Sequence, residues 1–290
     1  MLPGEVEGRS QRSLWRDALA RLLRNRLAVV GAVLVLALIA VALLAPILAP
    51  FDPTKQDYAR IAQPPSGERL LGTDGLGRDL LSRLIWGARI SISVGIFTQL
   101  IVLAVGIPVG ALAGMLGGRV DNLLMRFTDV MYAFPDLLLV ILFRAVFGAS
   151  VWALFLAIGL AAWVGVARLT RGQLLSLKER DFVQAARMLG ADDLRIVTRH
   201  LLPNALGPLI VYVTFNVPRA IFAEAALSYI GIGIAPPTPS WGNMIQEGGQ
   251  AIFAAPWQVL FPGIAIAVTM MAFTFLGDGL RDALDPRMTR

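Results

Sequence analysis

The chain has 290 residues and a formal net charge of +6, with 56% hydrophobic and 16% charged residues. Soluble domains average about 45–50% apolar and about 25% charged residues, so this composition excludes disorder and argues against a soluble domain. The chain has no Cys and one His, which excludes disulfides, iron–sulfur clusters and multi-histidine metal sites. A membrane protein with several spans is the leading class.

The first element in chain order is a basic N-terminal tail, residues 1–26, which carries six arginines. Within it, Trp15, Leu19 and Leu22 fall on one helical face with arginines around them. This pattern predicts a helix over 13–26 that lies on the membrane surface. The apolar stretch that follows is too long for a cleaved signal peptide, so we expect the tail to lead into a first span at 27–50.

Further spans are predicted where Asp, Glu, Lys and Arg are absent, because a spanning helix needs about 20 mostly apolar residues. The four clearest stretches are 27–51, 90–118, 145–167 and 248–277. A fifth runs from His200 to Ala223 and is interrupted by Arg219 alone. A sixth and weaker segment lies at 130–147 and contains Arg144.

Positive charge sets the predicted orientation, because it is retained on the cytoplasmic side. The N-terminal tail and the loop at 171–199 carry six basic residues each, so an even number of spans should separate them. The weak segment at 130–147 must then be a real span. The prediction is an all-α membrane protein with six transmembrane helices and both termini cytoplasmic. It has an external loop at 51–88, a five-helix core at 89–280 and a tail at 281–290.

Small residues recur every four positions in the second span. They are Gly106, Gly110, Gly114 and Gly118. This spacing lets two helices approach closely. Packing within the chain is the favoured interpretation, and contact with a partner subunit is the alternative. Pro108 predicts a bend in the same helix.

Three ionisable side chains lie in or near the predicted spans: Arg144, Arg219 and Glu224. Charges at such positions are costly and usually face a bundle interior or water, which makes them candidates for a pathway or gate. For Arg144, extension to the external face is favoured over contact with cargo. Glu224 is equally consistent with a helix-end residue near water. Arg219 and Glu224 are five positions apart, so they are not ideal helical neighbours.

The segment 178–204 is the most informative loop. It reads as two short amphipathic helices joined at Gly190, with Asp192 as the cap of the second helix and Pro203 as its end. An apolar face at i, i+4 and i+7 is formed by Phe182, Ala186 and Leu189. Such a hairpin suits a groove on another protein, and the alternative is a connecting loop that lies on the bilayer.

The same segment resembles the EAA loop of ABC importer membrane subunits, which reads Glu-Ala-Ala, three residues, Gly, nine residues and Ile-x-Leu-Pro. Here Gln184-Ala185-Ala186 precedes Gly190 by three residues, and His200-Leu201-Leu202-Pro203 follows nine residues later. Gln184 stands in place of Glu and His200 in place of Ile. In that family the loop is a coupling helix that sits in a cleft of the ATPase subunit. The resemblance assigns this contact to Gln184, Ala185, Ala186, Arg187, Gly190, Arg195, His200 and Pro203.

Other motifs are similar to those of the second, C-type permease of the oligopeptide, dipeptide and nickel importer class. They are Leu71-Gly72-Thr73-Asp74, Gly77-Arg78-Asp79, Phe134-Pro135, Glu224 to Gly233 and Pro239-Ser240-Trp241-Gly242. The resemblance implies the transmembrane domain of a type I ABC importer in the cell membrane. It also implies that peptides are the cargo, with nickel or another small solute as the alternative.

The resemblance further implies the partners. They would be a second homologous permease subunit, two ATP-binding subunits, an extracytoplasmic substrate-binding protein and the lipid bilayer, with no nucleic acid. ATP and Mg would be bound by the ATP-binding subunits, and this chain would be non-catalytic and hold no cofactor or metal. The sequence agrees, because neither Lys55 nor Lys178 lies in the Gly-Lys-Ser/Thr motif of a phosphate-binding loop.

Two function classes compete with this interpretation. A self-contained secondary transporter or channel would need polar residues in several spans and inverted repeats, and it would leave the 178–204 loop unexplained. A membrane-embedded enzyme would need a nucleophile, a base or a metal site inside the bilayer. With one His and no Cys, the chain has few residues that could form such a site.

Overall fold

The computed structural model describes residues 14–284, and the predictions for 1–13, for the Trp15 side chain and for 285–290 lie outside the described part. Across 14–284 the elements are helices, with one isolated bridge between Thr73 and Asp79. The helices are α1 (Leu14–Arg24), α2 (Arg26–Leu43), α3 (Ala45–Leu48), α4 (Leu80–Leu116), α5 (Gly118–Ala133), α6 (Asp136–Phe147), α7 (Val151–Lys178), α8 (Asp181–Met188), α9 (Asp193–Ile196), α10 (Leu202–Tyr229), α11 (Trp241–Gly249) and α12 (Trp257–Leu284). The predicted all-helical architecture is confirmed.

The N-terminal segment forms two helices that pack against α12. Asn25 separates them, and its Oδ1 accepts hydrogen bonds from the backbone N–H groups of Leu27 and Ala28 at 3.1 and 3.2 Å. This cap satisfies donors that have no partner within the helix, so α2 begins at Arg26. A helix is therefore present where the sequence predicts one, and Leu19 on the predicted apolar face is exposed.

The second span begins earlier than the sequence predicts. Asp79 caps α4 by accepting hydrogen bonds from the backbone N–H and the hydroxyl of Ser82, at 2.8 and 2.7 Å. The helix therefore starts at Leu80, inside the range predicted as an external loop. The prediction followed the stretches without charged residues. The charged residues in the first turns of α4 therefore moved the predicted start of this span to residue 90.

Helices α4 and α7 make the most extensive helix–helix contact among the described elements, and glycines make it possible. A Cβ atom on Gly106 would lie 2.7 Å from the Val166 Cβ, and one on Gly110 would lie 2.3 Å from the Ala167 carbonyl oxygen. Gly114 also faces α7, so packing within the chain accounts for these three glycines. Gly118 departs from the prediction, because it begins α5 with φ +54° and has open space around it.

We expect Gly110→Ala to destabilise the protein by about 1–3 kcal/mol, because its added methyl group overlaps the α7 backbone. Gly172→Ala is the matched control, since Gly172 is also helical and has no atom within 4 Å of its ideal Cβ position. Thermal unfolding of the purified protein should show a lower midpoint for the first variant and an unchanged or higher one for the second. Equal midpoints would contradict the role assigned to this contact.

The sixth predicted span, 130–147, is a broken one. Helices α5 and α6 meet at a bend of 95°. Phe134 is extended, as a residue before a proline tends to be, and Pro135 begins the turn into α6. Residues 14–284 therefore contain five uninterrupted helices that could span a membrane, or six spans if this bent pair is counted as one.

Pro203 lies inside a continuous helical segment instead of ending a helix. A π-helical turn at Val197–Leu201 joins α9 to α10, and Pro203 occupies the first turn of α10. A proline ring would clash with the carbonyl four residues earlier, which here belongs to Arg199 within the π turn. The helix widens at that point, so the 178–204 loop runs directly into a span.

Candidate functional site

The 178–204 loop is a helix–turn–helix hairpin. Gly190 ends α8 with φ +82°, a conformation that residues with a side chain rarely adopt. Asp192 caps α9, because its Oδ1 accepts a hydrogen bond from the Arg195 N–H at 2.8 Å. These are the positions and roles that the sequence predicts for the two residues.

One apolar face fixes the hairpin to the helix bundle. Val183, Ile196 and Leu201 are fully buried and belong to one cluster with Leu174 of α7 and Leu209 of α10. The hairpin is therefore packed against both α7 and α10.

A second apolar face is uncovered. Met188 and Leu189 are each 89% exposed, Leu194 is 72% exposed and Phe182 is 43% exposed. Of the apolar face predicted from the sequence, Phe182 and Leu189 are therefore exposed, and Ala186 is half-buried. Exposed apolar side chains of this kind are typical of a surface that contacts a partner protein or a membrane, so both interpretations of the loop stay open.

The remaining residues of the predicted contact lie on or beside this hairpin. Gln184 is folded onto the loop itself, because its Nε2 donates a hydrogen bond to the Lys178 carbonyl at 3.2 Å. Arg187 lies 3.9 Å from Asp193, and both side chains are largely exposed. Ala185 is exposed, and the carbonyl of His200 accepts a hydrogen bond from the Asn204 side chain at 2.6 Å. The hairpin thus presents exposed apolar side chains beside the charged groups of Arg187 and Asp193.

Arg144 does not extend to an outer surface as the sequence predicts. Its side chain is only 5% exposed, and its guanidinium donates hydrogen bonds to backbone carbonyls alone. The acceptors are the carbonyls of Gly148, Ala149, Ser150, Ile232 and Gly233. They lie at the ends of α6 and α10, where unpaired carbonyls carry negative partial charge. Arg144 therefore joins two turns of the backbone.

Glu224 is enclosed by hydroxyl groups. Ser228 and Ser240 donate hydrogen bonds to its Oε1 at 2.7 and 2.8 Å, and Ser91 lies 3.4 Å from its Oε2. Its side chain is fully buried between α4, α10 and the start of α11. The alternative of a helix-end residue near water does not fit this burial, and neither does contact with cargo in this conformation.

Arg219 lies on a different face of α10 from Glu224 and is exposed. It lines a cavity of about 280 Å³, which we call the central cavity. The polar residues around this cavity are Thr98, Gln99, Tyr132, Asp136, Tyr212, Asn216 and Arg219. Of the three ionisable residues predicted for a pathway, Arg219 is the one that the structure places beside this space.

A buried ion cluster lies at the bundle end opposite the 178–204 loop, and sequence reasoning missed it. Arg78 forms ion pairs of 2.6 Å with both Asp74 and Glu247. Arg83 is 1% exposed, contacts Asp74 and lies 2.8 Å from Glu247. The cluster connects the segment between α3 and α4, residues 49–79, which we call the long loop, to α11. The two arginines stand only five positions apart, but their partner Glu247 is distant in sequence, so the sequence does not show the cluster.

No group of His, Asp or Glu that could hold a metal ion occurs within residues 14–284. The prediction that ATP and Mg are bound by other subunits stays a prediction.

Comparison with known proteins gives two family matches. Residues 106–290 match the model described as a binding-protein-dependent transport system inner membrane component. Residues 13–65 match the N-terminal transmembrane domain of oligopeptide transport permease C.

Curated relatives match along almost the whole chain. The oligopeptide transport permease OppC of Bacillus subtilis is 40% identical, and the alignment covers 99% of this chain and 95% of that protein. The dipeptide transport permease DppC of Bacillus subtilis is 42% identical over 96% and 87% of the two chains. OppC of Escherichia coli K12 is 42% identical over 98% and 93%.

A solved structure shares the fold. An inward-facing form of the MetNI methionine ABC transporter aligns with a TM-score of 0.59 at 18% identity. The alignment covers 71% of this chain and 98% of that chain. At this identity the likeness concerns the fold alone, which is the importer architecture that the sequence predicts.

Proposed function

This chain belongs to the family of binding-protein-dependent transport system inner membrane components, and on that premise we propose that it imports peptides as one of two permease subunits of an ATP-driven complex. The relatives described above are oligopeptide and dipeptide permeases by name, and they match this chain nearly end to end. That match is the observation that carries the proposal, and it favours peptides over nickel as cargo.

We assign the contact with the ATP-binding subunit to the 178–204 loop of this chain. Its uncovered apolar tip at Met188, Leu189 and Leu194 would enter a cleft of that subunit, while Arg187 and Arg195 would form the rim. ATP would act by binding the two conformations of the complex with different affinity, because a ligand shifts an equilibrium only by its differential affinity. ATP hydrolysis would take place in the partner subunits, and the chain itself would be non-catalytic.

Co-purification tests the assembly. We expect a tagged copy of this chain, extracted gently from native membranes, to bring down a second permease of similar size and ATP-binding subunits in a fixed ratio. In liposomes, the complex should accumulate peptide only when ATP and a peptide-loaded binding protein are present. A chain that purifies alone and transports without ATP would overturn the proposal in favour of a secondary transporter.

A further inference from the structure

Helix α1 lies at the end of the bundle that carries the 178–204 loop. It packs on the last turns of α12, where a Cβ atom on Gly279 would lie 3.2 Å from the Leu22 Cδ1. Leu284, the last residue of α12, lies beside Gly207 in the first turns of α10, just after the loop. Helix α2 has 18 residues and is about 27 Å long, close to the thickness of a bilayer core. Helix α1 therefore lies outside that core, at the depth of the lipid headgroups.

One side of α1 is covered by protein and the adjoining side is not. Ala18 is buried and Leu22 is half-buried, and these two residues, one turn apart, face α12. Leu19 and Leu23 are also one turn apart, but they are 55% and 63% exposed. Leu27 in the first turn of α2 is exposed as well, so the uncovered leucines lead into a helix with the composition of a membrane span. Lipid acyl chains suit such a stripe better than water does.

Three exposed arginines accompany these leucines: Arg16, Arg24 and Arg26. Arg16 stands three positions before Leu19, so the two side chains share one side of α1. Asp17 is the one acidic residue of this helix. The ion pairs within the described part of the chain involve none of the three arginines. Their charge is therefore available to a ligand, and a guanidinium group pairs strongly with phosphate oxygens.

We propose that α1 is a binding surface for anionic phospholipids. Leu19 and Leu23 contact the acyl chains, while Arg16, Arg24 and Arg26 contact the phosphate and the anionic headgroup. A zwitterionic lipid carries the same phosphate together with an ammonium group, which the arginines repel, so the surface selects lipids with a net negative charge. The leucines favour lipid over an acidic surface of a partner subunit, because such a surface would leave them without apolar contacts. The inference depends neither on the cargo nor on the ATP-binding subunits.

Fluorescence quenching can measure whether anionic lipid is enriched beside α1. The chain has no Cys, so Leu23→Cys provides one thiol for a bimane label, in a complex whose partner subunits have no reactive Cys. The complex is reconstituted into vesicles of phosphatidylglycerol and phosphatidylcholine in equal amounts, with a nitroxide on the acyl chain of one lipid or the other. We expect nitroxide phosphatidylglycerol to quench the label at least about twofold more strongly. Equal quenching by both lipids would overturn the proposal and assign the arginines to a protein partner.

Leu36→Cys is the matched control for the labelled position. Leu36 is 65% exposed on α2 but lies ten residues beyond Arg26, away from the arginines. We expect both nitroxide lipids to quench a label at this position equally. The same preference for phosphatidylglycerol at both positions would show that the whole protein attracts this lipid, and would overturn a site on α1.

Substitution of the arginines tests the role of their charge. The combined Arg16→Gln, Arg24→Gln and Arg26→Gln variant should lose the preference at the Leu23 position, and Arg→Lys at the same three positions should retain most of it. An unchanged signal from the Leu36 label confirms that each variant is folded and reconstituted. A preference that survives the glutamine substitutions, or that the lysine substitutions remove equally, would contradict attraction by charge.

Ionic strength provides a test that needs no substitution. Raising the salt concentration from about 0.1 M to about 1 M shortens the screening length from about 10 Å to about 3 Å. The preference for phosphatidylglycerol at the Leu23 position should therefore fall as salt is added. A preference that does not change with salt would contradict a surface that recognises the charge of the headgroup.

Discussion

Gly190→Arg should reduce ATP-driven uptake by at least about tenfold while the complex stays in the membrane. The new side chain would project from the tip of the 178–204 loop, where no atom lies within 4 Å of an ideal Cβ position. It would place a charge and added bulk beside Met188 and Leu189, the most exposed apolar residues of the loop. Tenfold corresponds to about 1.4 kcal/mol of lost contact, which is modest for a central interface position.

Two variants separate the docking effect from backbone strain. Gly190→Ala carries the same unfavourable positive φ with little added bulk, so it should retain most of the uptake. Gly117→Arg adds the same side chain at φ +63°, also in open space, between α4 and α5. ATP hydrolysis and uptake should be measured together in liposomes. Normal uptake by Gly190→Arg, or equal loss in Gly117→Arg, would refute the coupling role of the loop.

Arg83→Met should cause the largest loss of stability. Arg83 is 1% exposed and pairs with Asp74 and Glu247, so its removal leaves a buried carboxylate with one cationic partner fewer. Breaking a buried ion pair in this way typically costs about 3–5 kcal/mol. Arg78 would still join the long loop to α11, so we expect the purified complex to keep its fold but to unfold at a clearly lower temperature.

Arg60→Met is the matched control for this prediction. Arg60 belongs to an ion pair within the long loop, 2.8 Å from Glu68, but the two side chains are 40% and 77% exposed. An exposed pair contributes about 0–1 kcal/mol, so this substitution should shift the unfolding temperature little. Similar shifts for Arg60→Met and Arg83→Met would show that burial of the cluster is not what stabilises the loop.

The sequence was sufficient for the parts of the molecule that depend on local pattern. Spans follow from apolar length, and the hairpin at Gly190 follows from cap residues a few positions apart. The sequence predicts the apolar face that lies at the exposed tip of the loop. A second apolar face, which includes Val183, packs on the bundle. Periodicity identifies an amphipathic helix but does not say which of two apolar stripes a partner covers.

Contacts between distant segments could not be read from the sequence. Arg144 was expected at a surface, yet five carbonyls from two separate turns surround it. The sequence around Glu224 does not identify its hydroxyl partners, because they come from α4, α10 and the residue before α11. Nothing in the sequence distinguishes Thr98 and Gln99, because an unpaired polar atom becomes evident only when the surrounding helices are in place.

The glycine contact between α4 and α7 has a mechanical consequence for how the loop and the cavity communicate. Helix α7 contains no proline and runs unbroken from the cavity wall at Gly165 to Lys178, where the hairpin begins, a distance of about 20 Å. Lys178 Nζ donates to the Gly114 carbonyl at 3.3 Å, so the far ends of both helices are joined as well. Helix α7 therefore connects the hairpin to the cavity wall without a proline between them, and we expect a displacement at the hairpin to be transmitted along it.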